Sequence, residues 1–228
     1  MDITEYKKLS ESGMAHLEWL DAQEISPGSG ISAREYVRSL LESMSVIRLA
    51  EREVRLPGLG SPDYQAAIMA IINEFCKRVE HPVKPIYEAD VDDVVIVAAH
   101  DFPKGFGVST YIRTGLSTGS IQILPTSSGS TVSFDDKQII FVMTDFVDLD
   151  PTRGLREVYI QVDGKRKYAI PVRNMRLNEI PAVRLPLEKV TNSLDIDGYL
   201  ETGSSIEAFP DGVFIMKYSK YGTLLGLM

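Results

Sequence analysis

Cysteine is almost missing from this chain: 228 residues hold one, Cys76. A lone thiol makes no internal disulfide and no thiolate metal cage, so neither device explains how the chain folds. Tryptophan is equally scarce, with Trp19 alone, which leaves little flat aromatic surface for stacking on sugars. Histidine occurs at 16, 81 and 100, and none of the three sits in a recognised catalytic motif. No apolar run approaches the ~20 residues of a membrane helix, so no membrane partner is expected. The opening Met1-Asp2-Ile3-Thr4-Glu5 is polar and acidic, unlike a secretory signal. A reducing, cytoplasmic setting is the expectation.

A concentrated basic surface is missing too. Net charge is −8, and it is evenly spread: residues 1–88 hold 10 basic and 14 acidic side chains, residues 89–228 hold 14 and 18. Proteins that grip phosphates carry a basic patch or arm. Here the densest cluster is Lys165-Arg166-Lys167, read as a solvated hairpin turn, and no direct nucleic-acid binding is expected. What the chain does have is core: 44% hydrophobic and 25% charged residues are ordinary for a globular protein.

The first 80 residues read as helices. Ile3, Tyr6, Leu9, Met14, Leu17 and Leu20 keep a helical period, and Ser26-Pro27-Gly28-Ser29-Gly30 breaks it. A second helix opens on Ser32, with Glu35 completing a capping box. Its expected apolar face is Tyr36, Leu40, Ile47, Ala50 and Val54, flanked by Val37, Leu41 and Met44, up to the stop at Leu56-Pro57-Gly58. A third has Ser61 as cap, Pro62 at the first helical position and Asp63 near the positive helix end. Tyr64, Ile68, Ile71, Ile72, Phe75 and Val79 fall on one stripe, and His81-Pro82 ends it. Such stripes bury against each other, a sheet or a neighbouring subunit.

From about residue 83 the texture changes to short β-branched and aromatic runs divided by Gly, Pro, Ser and Asp. Strands are predicted over 83–87, 93–99, 108–113, 120–124, 138–146, 156–162, 167–172, 182–185, 194–200 and 213–218. Asp163-Gly164 is the strongest local signal, joining two alternating strands in a tight hairpin. No helix long enough for a parallel crossover lies between the strands. The predicted class is α+β: a helical N-terminal region, 1–82, followed by an antiparallel β-sandwich or jelly-roll-like domain, 83–228.

Candidate chemistry is thin, and no catalytic, cofactor-binding or metal-binding residue is assigned. His100-Asp101 is the one His–Asp neighbour pair, at the end of an apolar strand. Adjacent strand residues point to opposite faces, so a polar strand terminus is the reading. Asp90, Asp92 and Asp93 form one acidic group, and Asp145, Asp148 and Asp150 another, from which Asp148 and Asp150 are the candidate calcium pair. Both groups lack the glycine and distal glutamate of an EF-hand loop. Gly28-Ser29-Gly30 before a capped helix lacks the lysine of a P-loop. Lys104-Gly105-Phe106-Gly107 is equally nonspecific. Cys76, beside an apolar stripe, reads as packing. No cofactor is expected.

The chain from about Ser120 onward resembles the jelly-roll and sandwich proteins that build virus capsids. The carrying features are many short strands, connections punctuated by Pro125, Pro151, Pro171, Pro181, Pro186 and Pro210, and the late segment Leu194-Asp195-Ile196-Asp197-Gly198. The resemblance implies a homo-oligomer whose partners are copies of itself, located in a virion or the cytoplasm. The sandwich would form its shell, and helices would tie subunits together or line the inside. The apolar end, Tyr221-Gly222-Thr223-Leu224-Leu225-Gly226-Leu227-Met228, reads as an interface or as a last strand. Two other classes stand beside it. One is a module binding a carbohydrate, peptide or small ligand through loops 114–120 and 126–131. The other is an enzyme whose site gathers scattered residues such as His100, Asp101 and Asp145.

Overall fold

A computed structural model describes residues 24–25, 28–49, 52–101, 112–124, 134–150, 154–177 and 180–225. The helix expected over 3–20, Trp19, Lys104-Gly105-Phe106-Gly107 and the loop at 126–131 lie outside those residues.

Helix α1 (Ala33–Met44) opens on the capping box read from the sequence: Ser32 Oγ accepts from the Glu35 N–H at 3.2 Å, and the Glu35 carboxylate accepts from the Ser32 N–H at 3.2 Å. It is shorter than expected. Residues 46–55 form a hairpin instead, β1 (Val46–Leu49) against β2 (Arg52–Arg55). Ile47 and Val54 are buried as a cross-strand pair, not as successive turns of a helix. Val-Ile-Arg-Leu and Arg-Glu-Val-Arg alternate with period 2, a signal that overrides the helical spacing. The buried face of α1 is therefore Ala33, Val37, Leu41 and Met44.

Helix α2 (Pro62–Val79) has proline in its first turn, but the Ser61 side chain makes no capping hydrogen bond. It ends at Glu80, which turns left-handed at φ 62°. It is buried on more than a stripe, with Ala67, Met69, Ala70, Asn73 and Cys76 covered as well. The strand expected over 83–87 is absent. Val83 makes one parallel bridge to Val94, and a turn follows.

The remaining strands are β3 (Val94–Ala98), β4 (Ile112–Thr114), β5 (Gly119–Leu124), β6 (Ile139–Asp148), β7 (Leu155–Val162), β8 (Lys165–Ile170), β9 (Ala182–Val190), β10 (Leu194–Leu200) and β11 (Ser205–Lys217). A short 3-10 turn, Ala99–Asp101, follows β3, and a short helix α3 (Val172–Leu177) precedes β9. Helix α4 (Tyr218–Leu224) replaces the last strand expected from the apolar tail. Tyr218, Tyr221 and Leu224 pack partly against the sandwich.

Two antiparallel sheets face each other. Sheet I runs β3-β11-β6-β9, with β4 beside the start of β11; sheet II runs β5-β10-β7-β8. Phe141 and Phe214 of sheet I stack at 4.8 Å between them, with Val95, Met143 and Phe146, against Val158, Ile160 and Ile196 of sheet II. The opposite face of sheet I, including Ile96, Ile140, Val142, Val213 and Ile215, shares a second apolar cluster with α1, α2 and the hairpin. Every residue of β6 is thus buried, whereas β7 alternates between buried and more open positions. The layers are helices, sheet I, then sheet II, with one solvated sheet face. That arrangement is α+β with a β-sandwich.

Pro186 and Pro210, expected in connections, lie inside β9 and β11. β9 borders sheet I, where a missing N–H is tolerated, and Pro210 adjoins a register shift at Asp211/Gly212. The β7–β8 hairpin has the expected tip, with Asp163 at φ 50° and Gly164 at φ 74°. A β-branched residue resists that conformation. Gly164→Val is expected to lower the unfolding free energy by roughly 1–3 kcal/mol, measured by urea denaturation.

Candidate functional site

The most concentrated buried polarity lies where α1, the hairpin and the turn at 56–60 meet sheet I. Asp145 on β6 and Asp211 on β11 are direct cross-strand partners, and both are fully buried. Register shifts adjoin both residues, between Met143 and Asp145 in the β6–β9 pairing and between Asp211 and Gly212 in the β6–β11 pairing. Such bulges re-aim side chains within otherwise apolar strands.

Each carboxylate has its own partners. Asp145 Oδ1 accepts from the Gly58 N–H at 2.9 Å, and Oδ2 accepts from Thr144 Oγ1 at 2.7 Å. Gly58 is required there: a Cβ would sit 2.6 Å from Asp145 Oδ2 and 2.8 Å from the Thr144 carbonyl. Asp211 Oδ2 lies 2.8 Å from His100 Nδ1, and Oδ1 accepts from the Gly212 N–H at 2.7 Å. The second ring nitrogen of His100 faces Asp101 at 3.8 Å.

Burial pushes the Asp145 carboxyl up to about 6, with Asp211 adding to the rise and the Gly58 and Thr144 hydrogen bonds opposing it. Burial alone would lower the His100 imidazole, but Asp211, and more weakly Asp101, hold it above its ordinary value. A ring oriented by a buried carboxylate is half of a general acid–base arrangement. Nucleophilic catalysis also needs an activated nucleophile within reach. Ser43, on the groove beside His100, donates its hydroxyl to the Leu40 carbonyl instead.

The sequence singles out His100 beside Asp101 and reads the pair as a polar strand terminus. Asp211, 111 residues away, is its true partner, and Asp101 is the more distant one. The missed signal is an acidic residue inside the apolar run Phe209 to Met216. Asp148 and Asp150 turn to local hydrogen bonds: Asp148 Oδ1 accepts from the Asp150 N–H at 3.2 Å, and Asp150 Oδ2 accepts from Ser205 Oγ at 3.5 Å. Among the described residues, no group of three or more His, Cys, Asp or Glu is placed to hold a metal. In the other acidic group, Asp92 pairs with Lys217 at 3.0 Å and Asp93 with Lys84 at 3.3 Å.

Gly28, of the Gly28-Ser29-Gly30 candidate, lies in a loop and donates its N–H to a Glu24 carboxylate at 3.3 Å, so the chain's own acid occupies that donor. Cys76 is fully buried, and burial pushes its thiol up to about 12, so it packs and does not react. A Gly-x-Ser-x-Gly pattern, the spacing of a hydrolase nucleophile, is present after all, at Gly115-Leu116-Ser117-Thr118-Gly119. It joins β4 to β5 with Ser117 exposed, not a strand to a helix, so the context of a nucleophile elbow is missing.

No protein-family model, no curated protein and no solved structure matches the chain.

Asp145 gives a sign-specific expectation. Its folded value exceeds its unfolded one, so ionising it opposes folding; the cost appears above pH 4 and is complete above about pH 6. Asp145→Asn keeps an acceptor for Gly58 and removes that cost. It should match the parent near pH 3.5 and exceed its stability by roughly 3 kcal/mol at pH 7.5, read from denaturation curves at both pH values. Gly58→Ala should lose roughly 2 kcal/mol or more at either pH.

Proposed function

We propose that this chain is a non-enzymatic structural subunit that self-assembles into a larger homo-oligomeric particle of the virion type, and that its sandwich is a jelly roll. The pairing order carries the reading. β7 pairs with β8 across the Asp163-Gly164 tip, β6 with β9, β5 with β10, and β3 with β11. These are four nested antiparallel pairs of one long hairpin. Folding that hairpin over brings β11 against β6 and β10 against β7, closing the two sheets. Among these eight strands, successive ones change sheets except at the tip. Eight strands in two Greek keys with this order are the jelly-roll arrangement, which recurs in capsid and lectin domains.

Of the two roles the capsid resemblance implies for the helices, tying subunits together or lining the inside, the apolar faces of α1 and α2 favour the second, because sheet I of their own chain covers them. Contacts between copies fall to other surfaces, where Tyr87 and Val91 stand 84% and 56% exposed in one short segment.

One observation favours a second reading, a ligand-binding module. The solvated face of sheet II carries a shallow groove of ≈ 520 Å³, with Ser120, Gln122, Glu157, Tyr159, Asp197 and Tyr199 along it. This is a sheet face rather than the loops expected from the sequence, and the Arg166 guanidinium already covers the Tyr159 ring at 3.9 Å.

Light scattering of the purified chain tests the first reading. The expected result is a closed particle of many copies, whose interfaces bury more than ~2,000 Å² in total, as obligate contacts do. A monomer at high concentration, with a melting temperature raised by a sugar or peptide, contradicts it and favours the second.

A further inference from the structure

The outer face of sheet II brings acids and aromatic rings together by register. Tyr159 on β7 stands opposite Asp197 on β10, and Glu157 stands opposite Tyr199. Their neighbours Val158, Ile160, Ile196 and Leu200 are buried between the sheets, so these four side chains point the other way, into the groove of ≈ 520 Å³. The four form a checkerboard. Each carboxylate faces a ring across the strands and has the other ring's strand neighbour two residues along. Diagonal positions lie about 7–8 Å apart, so Glu157 and Asp197 are far enough apart to hold one planar cation between them. Gln122 and Ser120 of β5 extend the same surface beside Asp197 and Tyr199.

Charge and partners indicate what this surface accepts. Among the described residues, the groove lining holds Glu157 and Asp197 and no lysine or arginine. Asp197 is half-buried, and among the described residues its side chain meets no hydrogen-bond donor and no cation. A carboxylate drawn partly out of water without a partner carries a desolvation cost that an incoming cation offsets. The chain itself shows the chemistry at the groove's border, where the Arg166 guanidinium of β8 lies 3.9 Å over the Tyr159 ring centre. The hydrogen bond to Glu157 holds the Tyr159 hydroxyl above its ordinary value, and Arg166 opposes it. With Arg166 in place, Tyr199, 39% exposed, is the ring left open. A single open tyrosine gives a sugar little to stack on, whereas a cation needs one ring and the acids beside it.

We propose that this groove binds the guanidinium of an arginine carried on a basic peptide segment of a partner protein, seated between Glu157 and Asp197 and over the Tyr199 ring. The inference rests on the ligand-binding reading of this face, to which it adds the class of ligand, and it is independent of assembly. A guanidinium suits the site better than an ammonium, because it is planar, donates in two directions at once and stacks on a ring. Arg166 competes with it, through like charge and by occupying Tyr159.

Titration of the whole chain with a blocked arginine–glycine–arginine tripeptide, followed by amide chemical shifts, tests the site. Shifts should concentrate at Gln122, Glu157, Tyr159, Asp197 and Tyr199 and weaken with added salt. Asp197→Asn and Tyr199→Ala should each weaken binding at least about threefold, and Arg166→Ala should tighten it by about the same factor. Glu42→Gln removes an exposed acid from α1 and should leave the affinity unchanged. Equal losses in Glu42→Gln and Asp197→Asn overturn the proposal, because attraction to the net charge of −8 would then explain binding. Shifts at this face with maltotriose and none with the tripeptide overturn it while leaving the ligand-binding reading in place; shifts with neither overturn both.

Discussion

Sheet I is apolar on both faces, and that constraint shapes the rest of the molecule. An antiparallel sheet usually buries one face and wets the other. Here β6 and most of β11 are buried throughout, so two separate covers are required. Sheet II supplies one, meeting sheet I through Phe141, Phe214 and Val158. Helix α2 supplies the other, and α1 and the hairpin extend it. Full burial of a large aliphatic or aromatic side chain stabilises by roughly 1.5–3 kcal/mol. A sheet with either cover removed would expose many such side chains at once. The helical layer is thus part of the core rather than an appendage to a finished sandwich.

Polar groups are admitted to this layer at the bulges. Asp145 and Asp211 stand in largely apolar strands, and each has defined partners: Gly58 and Thr144 for one, His100 and Gly212 for the other. The arrangement fixes the hairpin and turn at one place on the sheet, where apolar packing alone would tolerate sliding. The nested pairing about Asp163-Gly164 supports the shell reading, and the solvated face of sheet II is the surface the competing reading would use.

Local chemistry made much of the fold legible. The Ser32–Glu35 capping box, Pro62 at a helix start, the Asp163-Gly164 tip and the apolar 94–99 run are each readable within a few residues, and each appears in the structure. Failures came where tertiary context decides. Ile47 and Val54 suit a helix face by spacing, yet they pair across a hairpin because the sheet below accepts two short strands. Pro210 reads as a connection because a strand with a missing N–H is unusual, and only the neighbouring bulge makes room for it. The tail reads as an interface or a last strand from its apolar content; its described part is a helix, with Tyr218, Tyr221 and Leu224 packed partly against the sandwich. The polar cluster was half visible. His100 stands out by rarity, but Asp211 lies 111 positions away and is selected by register alone.

Cys76 offers the most direct test that the helical layer is sealed on sheet I. It is the chain's only cysteine, lies on α2 and has no exposed surface. Thiol labelling of the native protein should proceed no faster than global unfolding. Rapid, stoichiometric labelling while the sheets remain folded would contradict the account, because α2 would then be free to leave the face it is held to cover.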